Sequence, residues 1–124
     1  MKNTAIRGRY VPKNKGKYTG NVNKITYRSM WERRFMLYCD RSPNILTWSS
    51  EELHIPYVSP KDDKWHNYYP DFTITTNDDR TVIVEIKPHY QKTWNVNKAK
   101  WKAAQDYCDD NAYEFTVLTE KELF

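Results

Sequence analysis

The segment YYPDFTITTNDDRTVIVEIKPHY, residues 68 to 90, constrains this chain more than any other. Two β-branched and aromatic runs flank the polar stretch Asn77-Asp78-Asp79-Arg80, which is the pattern of a β-hairpin. Each run nevertheless carries acid: Asp71 in the first, Glu85 in the second, with Lys87 two places on. Strand side chains alternate between faces. Glu85 and Lys87 therefore share a face, and pairing around the 77–80 turn brings Asp71 beside Glu85. The run Val82-Ile83-Val84 ahead of Glu85 is that of an interior strand, where charge is costly.

Two carboxylates held together repel, and burial raises the cost. A divalent cation relieves it. Mg2+ takes hard oxygen ligands, commonly one or two carboxylates plus waters and substrate phosphate, and Mn2+ is its natural substitute. A lysine beside them offers a point charge to a phosphate oxygen, or orients attacking water. This is equipment for metal-assisted phosphodiester hydrolysis. The competing reading makes Asp71 a turn residue and Glu85–Lys87 a surface ion pair. The apolar run before Glu85 and the Pro70-Asp71 step in an aromatic segment favour the site.

Around the hairpin, Trp31, Phe35 and Tyr38 fall at helical spacing in SMWERRFMLYCD, and Ser29 with Glu32 forms a capping-box pattern. ILTWS (45–49) and ELHIPY (52–57) read as short strands, and 59–67 as a polar turn. A helix over 95–110 carries Asn97, Trp101, Ala104 and Cys108 on one stripe, and EFTVL (114–118) is a last strand. TEKELF reads as a terminal turn or short helix. The order predicts an α/β (α+β) fold, a mixed sheet flanked by helices, with a crossover that makes the last two strands parallel.

The 124 residues suit one domain, and 15% aromatic content supplies a core. Three glycines leave no phosphate-cradling Gly-rich loop. There is no long apolar run for a membrane span and no apolar leader, so the expectation is a cytoplasmic protein. Cys39 and Cys108 stand alone, without a zinc framework. Residues 1–31 hold eight basic residues, Lys2, Arg7, Arg9, Lys13, Lys15, Lys17, Lys24 and Arg28, and no acid. The other 12 basic and 16 acidic residues leave −4, so the chain's net +4 conceals a basic arm on an acidic body. Residues 1–26 read as an extended arm and 27–124 as the catalytic domain. Tyr10, Tyr18 and Tyr27 interleave with the charges, as in segments that neutralise phosphates, whereas the plain alternative is a solvated terminus.

The hairpin resembles the PD-(D/E)xK nuclease superfamily: Pro70-Asp71 matches PD, and Glu85-Ile86-Lys87 matches (D/E)xK. Through YRSMWERRFM, WSSEELHIPY, YYPDF and VIVEIKPHYQ, about residues 27–91, it is similar to TnsA-type endonuclease domains and tailed-phage head-completion nucleases. The resemblance implies a restriction-endonuclease-like fold and a Mg2+-dependent endodeoxyribonuclease. Asp71 and Glu85 would be metal ligands with the Ile86 carbonyl, Lys87 would act on water or phosphate, and Glu32 would be an accessory acid. Glu32 has the capping box as its structural reading, and Glu51 and Glu52 are equally at home in a turn.

Double-stranded DNA is the expected partner, with Arg7, Arg9, Lys13, Lys15, Lys17, Arg28, Gln91, Lys92 and Lys98 as candidate contacts. The lysines at 98, 100 and 102 read equally well as a solvated helix face. His66 and His89 are candidates for packing near the site. Portal or head proteins, and a place in the virion head or neck, follow from the phage resemblance. A non-catalytic DNA-binding neck component and a junction-resolvase or restriction-type nuclease are the rival readings.

Overall fold

The computed structural model describes residues 7–123. Lys2 of the basic arm and Phe124 of the terminal segment lie outside the described residues. A two-stranded ribbon, β1 (Gly8–Arg9) and β2 (Thr26–Tyr27), precedes helix α1 (Met30–Arg41). Then come β3 (Ile45–Ser50), β4 (Ile55–Val58), β5 (Trp65–Tyr68), β6 (Phe72–Thr76) and β7 (Thr81–Ile86). Helix α2 (Asn95–Asn111), β8 (Glu114–Leu118) and α3 (Glu120–Leu123) complete the chain.

The main sheet runs β3-β6-β7-β8. β3, β6 and β7 are antiparallel neighbours, and β7 pairs with β8 in parallel through the α2 crossover, as the sequence predicts. The β6–β7 turn closes with Asp79 at φ 66°, a left-handed conformation that Asp tolerates. β7 is buried along nearly its whole length, which its β-branched run requires of an interior strand. β4 and β5 form a separate hairpin. The sheet is mixed and flanked by helices, a restriction-endonuclease-like arrangement.

One core lies between α1 and the sheet, around Trp48, Phe35, Phe72 and Met36. A second lies between α2 and the β4–β5 hairpin, around Ile55, Tyr57, Tyr68 and Ala104. Each fully buried large side chain contributes about 1.5–3 kcal/mol. Ser29 caps α1 as predicted, accepting the Glu32 N–H at 3.2 Å. Tyr38, expected on the apolar stripe, is half exposed; Met36 and Cys39 are buried instead, because the packed stripe drifts one residue around the helix.

Three expectations change. Residues 7–26 do not run as an extended arm: Tyr10, Tyr18 and Ile25 enter the first core, and Tyr18 packs edge-on against Trp48 with ring centroids 4.7 Å apart. The segment is anchored at Asp40, whose carboxylate accepts the Tyr10 hydroxyl at 2.7 Å and the backbone N–H groups of Lys13 and Asn14. Gly8 passes so close to the Tyr27 ring that a Cβ would collide with it. The WHN triplet, expected in a turn, belongs to strand β5, which pairs with β4 although three of its four residues are exposed. The first hairpin strand starts at Phe72 rather than at Tyr68, and Tyr68 ends β5.

Candidate active site

Phe72 pairs with Val84, so Asp71, just before β6, stands opposite Glu85 near the end of β7. The two acids are interlocked through the backbone. The Asp71 N–H donates to Glu85 Oε1 at 3.2 Å, and the Ile86 N–H donates to Asp71 Oδ2 at 2.8 Å. Glu85 is only 3% exposed, whereas Asp71 is half-buried. Lys87 continues the strand line, its backbone N–H donating to the Leu118 carbonyl at 3.0 Å on β8. Its Nζ lies 3.9 Å from Glu85 Oε2. The face relationship read from strand alternation is thus present.

These side chains open onto a cleft of about 550 Å3, whose lining includes Arg28, Glu51, Tyr68 and Lys100. The β4–β5 hairpin supplies the opposite wall through Tyr57 and His66. Glu51 adopts φ 55°, uncommon for Glu, held by its N–H to the Asp71 carbonyl at 3.1 Å, and its carboxylate pairs with Arg28. Strained backbone of this kind clusters at functional sites. The Tyr68 hydroxyl is buried and makes no hydrogen bond of normal geometry among the described residues. Burial, then the charges of Glu85 and Asp71, push its pKa far above the ordinary tyrosine value, so it stays protonated.

Lys100 is the residue that sequence reasoning did not single out. It projects from α2 into the cleft, its ammonium 5.8 Å from the Tyr68 ring centroid. Burial and the Lys87 cation lower its pKa, while Glu85 and Asp71 oppose that shift. A signal was present: Val96, Lys100, Ala104 and Cys108 recur every four residues, and Ala104 and Cys108 are fully buried. A lysine in that stripe faces the body. Lys98 is exposed, and Lys102 pairs with Asp106 at 2.7 Å, so for Lys102 the solvated-face reading holds.

The other sequence candidates are dispersed. Glu32 is buried at the start of α1, its Oε1 accepting the Arg28 N–H at 3.0 Å, one residue before the N-cap; it does not line the cleft. Lys17 donates to the carbonyls of Asp40 and Ser42, a structural task. Gln91 sits in a 3-10 turn, where its carbonyl accepts from the Asn97 amide at 2.9 Å. Lys92 is exposed in the same turn. Arg7 and Lys15 are exposed on the ribbon segment, and Arg9 and Lys13 line a separate cavity. His66 reaches the cleft and pairs with Asp62 at 2.9 Å, whereas the His89 N–H donates to Glu120 away from it.

Among the described residues, no cluster of three or more His, Cys, Asp or Glu is gathered to hold a metal. The donor set is the oxygen pair Asp71 and Glu85, one of them almost wholly buried, which matches the hard, hydrated coordination that Mg2+ prefers. Each carboxylate oxygen has two lone pairs, so accepting one N–H leaves capacity for a cation.

A restriction-endonuclease-like sheet with paired acids and a lysine at one strand end defines a nuclease-type fold. Residues 42–120 match the family model described as TnsA-like endonuclease N terminal. The chain is also similar to the head completion nuclease of Enterobacteria phage T4, 35% identical over 141 aligned positions that cover 96% of this chain and 94% of the relative. The chain belongs to the TnsA-like endonuclease family.

Proposed function

We propose that this protein is a Mg2+-dependent endodeoxyribonuclease that hydrolyses phosphodiester bonds of double-stranded DNA, with Asp71, Glu85 and Lys87 at its centre. The observation that carries this reading is the interlocked pair Asp71–Glu85 with Lys87 Nζ at 3.9 Å, open to a cleft.

Asp71 and Glu85 would hold the cation, with the Ile86 carbonyl as a further oxygen donor; Mn2+ would substitute. When bound, the metal supplies a Lewis acid that polarises the phosphoryl oxygen and makes water a better nucleophile. Lys87, just past the end of β7 and held by its backbone N–H to Leu118 of β8, presents its ammonium to a non-bridging oxygen of the scissile phosphate. Lys100 approaches from the α2 side and neutralises charge on the same group, so the phosphate sits between two cations from different elements. Arg28 at the rim binds an adjoining phosphate. Glu32 supports Arg28 through its backbone N–H and acts on the site at one remove. The T4 relative's name places that protein in head completion. We extend that stage to this chain: an infected host cell, DNA at a filled head, and head or portal proteins as neighbours.

The test is nicking of supercoiled plasmid by purified protein with Mg2+, with Mn2+ and with EDTA. Cleavage that requires metal is the expected result. DNA binding without any cut under every metal condition would leave the acids structural and the protein a binding component.

A further inference from the structure

Behind the ribbon lies a second cavity, about 300 Å3, that the active-site reading does not use. Arg9 of β1, Lys13 of the following loop, and Arg33 and Arg41 of α1 surround it. Arg33, Leu37 and Arg41 recur every four residues and so lie on one helix face. Four cations crowd one concavity. The one acid there, Asp40, is 1% exposed and already accepts the Tyr10 hydroxyl and two backbone N–H groups. Among the described residues no carboxylate forms an ion pair with Arg9, Lys13, Arg33 or Arg41. Arg33 is instead held over the Tyr27 ring, 5.9 Å from its centroid. Four cations around one carboxylate leave an excess of positive charge that is costly, and an incoming anion lowers the cost.

We propose that this cavity is a second phosphate site, which grips the DNA backbone beyond the cleaved bond. The inference rests on the nuclease reading above. Its position favours DNA over an acidic peptide. Tyr27 lines this cavity and the next residue, Arg28, lines the cleft, so the two linings are neighbours along the chain. A polyanion leaving the cleft past Arg28 meets Arg33 and Arg41 next. Duplex DNA carries a charge about every 3.4 Å along each strand, so successive phosphates can meet cations spaced along the chain's surface. The site fixes the register of the duplex and carries no sequence information.

The experiment is fluorescence anisotropy of a short labelled duplex over a range of NaCl concentrations, with Asp71→Asn as the background so that binding is read without cleavage. The slope of log affinity against log salt counts phosphates, at about 0.9 each. Arg33→Gln with Arg41→Gln flattens the slope by about 1.8, and the Arg→Lys pair retains it. Should the double variant fail to fold, Arg41→Gln alone, at an exposed position, flattens it by about 0.9. An unchanged slope overturns the proposal, as does poly-glutamate competing as well as DNA at equal charge. Wild-type plasmid cleavage with an unchanged slope would remove this site and keep the nuclease. A flattened slope in a protein that never cuts would do the reverse.

Discussion

Asp71 and Glu85 hold each other through the backbone: Glu85 Oε1 accepts the Asp71 N–H, and Asp71 Oδ2 accepts the Ile86 N–H. The amides of Asp71→Asn and Glu85→Gln keep a carbonyl oxygen for those bonds, so both variants should stay folded. Each loses a charge that a cation needs. Removing several kcal/mol of charge stabilisation corresponds to about a thousandfold or more in rate. Plasmid nicking should fall by that factor while the melting temperature moves little. Wild-type rates in both variants would make the pair structural.

The same charge relationship predicts metal-linked stability. Mg2+ added at about ten times its Kd should stabilise the wild type by about 1.4 kcal/mol, seen as a thermal shift of a few degrees. Asp71→Asn should show a much smaller shift. A shift of equal size in that variant would place the cation elsewhere.

Lys100 approaches the acids from α2, half-buried against Tyr68. Lys100→Met should lower cleavage about ten- to hundredfold, the size of one lost charged interaction of about 1.5–3 kcal/mol. Its melting temperature should hold or rise, because a half-buried cation has been removed. Lys100→Arg keeps the charge and should recover part of the rate. Single-turnover cleavage with a thermal melt separates these outcomes.

Asp40 governs the ribbon's attachment. Burial works against its charged form, but the hydrogen bonds from Tyr10, Lys13 and Asn14 and the Lys17 cation outweigh it, leaving the pKa below the ordinary value. A carboxyl depressed in the folded state stabilises the fold above its unfolded pKa, about 3.9, and that gain is lost as pH falls through the folded value. Acid unfolding of the wild type should therefore steepen below about pH 4. Asp40→Asn should be less stable at neutral pH and show a flatter acid limb. Tyr10→Phe should cost about 1 kcal/mol at neutral pH, read from denaturant melts.

Much of the candidate site was legible because its signals are local. Alternation along a strand puts Glu85 and Lys87 on one face whatever surrounds them, and a polar turn between two β-branched runs puts Asp71 opposite. The capping pattern of Ser29 and Glu32 was legible for the same reason, although sequence alone left Glu32 divided between helix cap and cleft. Lys100 was not, because the three alternating lysines at 98, 100 and 102 look alike until the packed face of α2 is known. WHN at 65–67 was misjudged because an exposed strand lacks the apolar period that marks a buried one.

The residues alone determined the hairpin, the α2 crossover, the paired acids and a basic N-terminal segment, since each depends on neighbours within a turn or a strand. Tertiary packing decided the rest. Tyr10 and Tyr18 become core residues only because Asp40 and Trp48, some 30 positions away, receive them. Lys100 joins the acids only because α2 lies against the β4–β5 hairpin. Such pairings depend on which surfaces bury each other, and burial is a property of the whole fold rather than of any short stretch of chain.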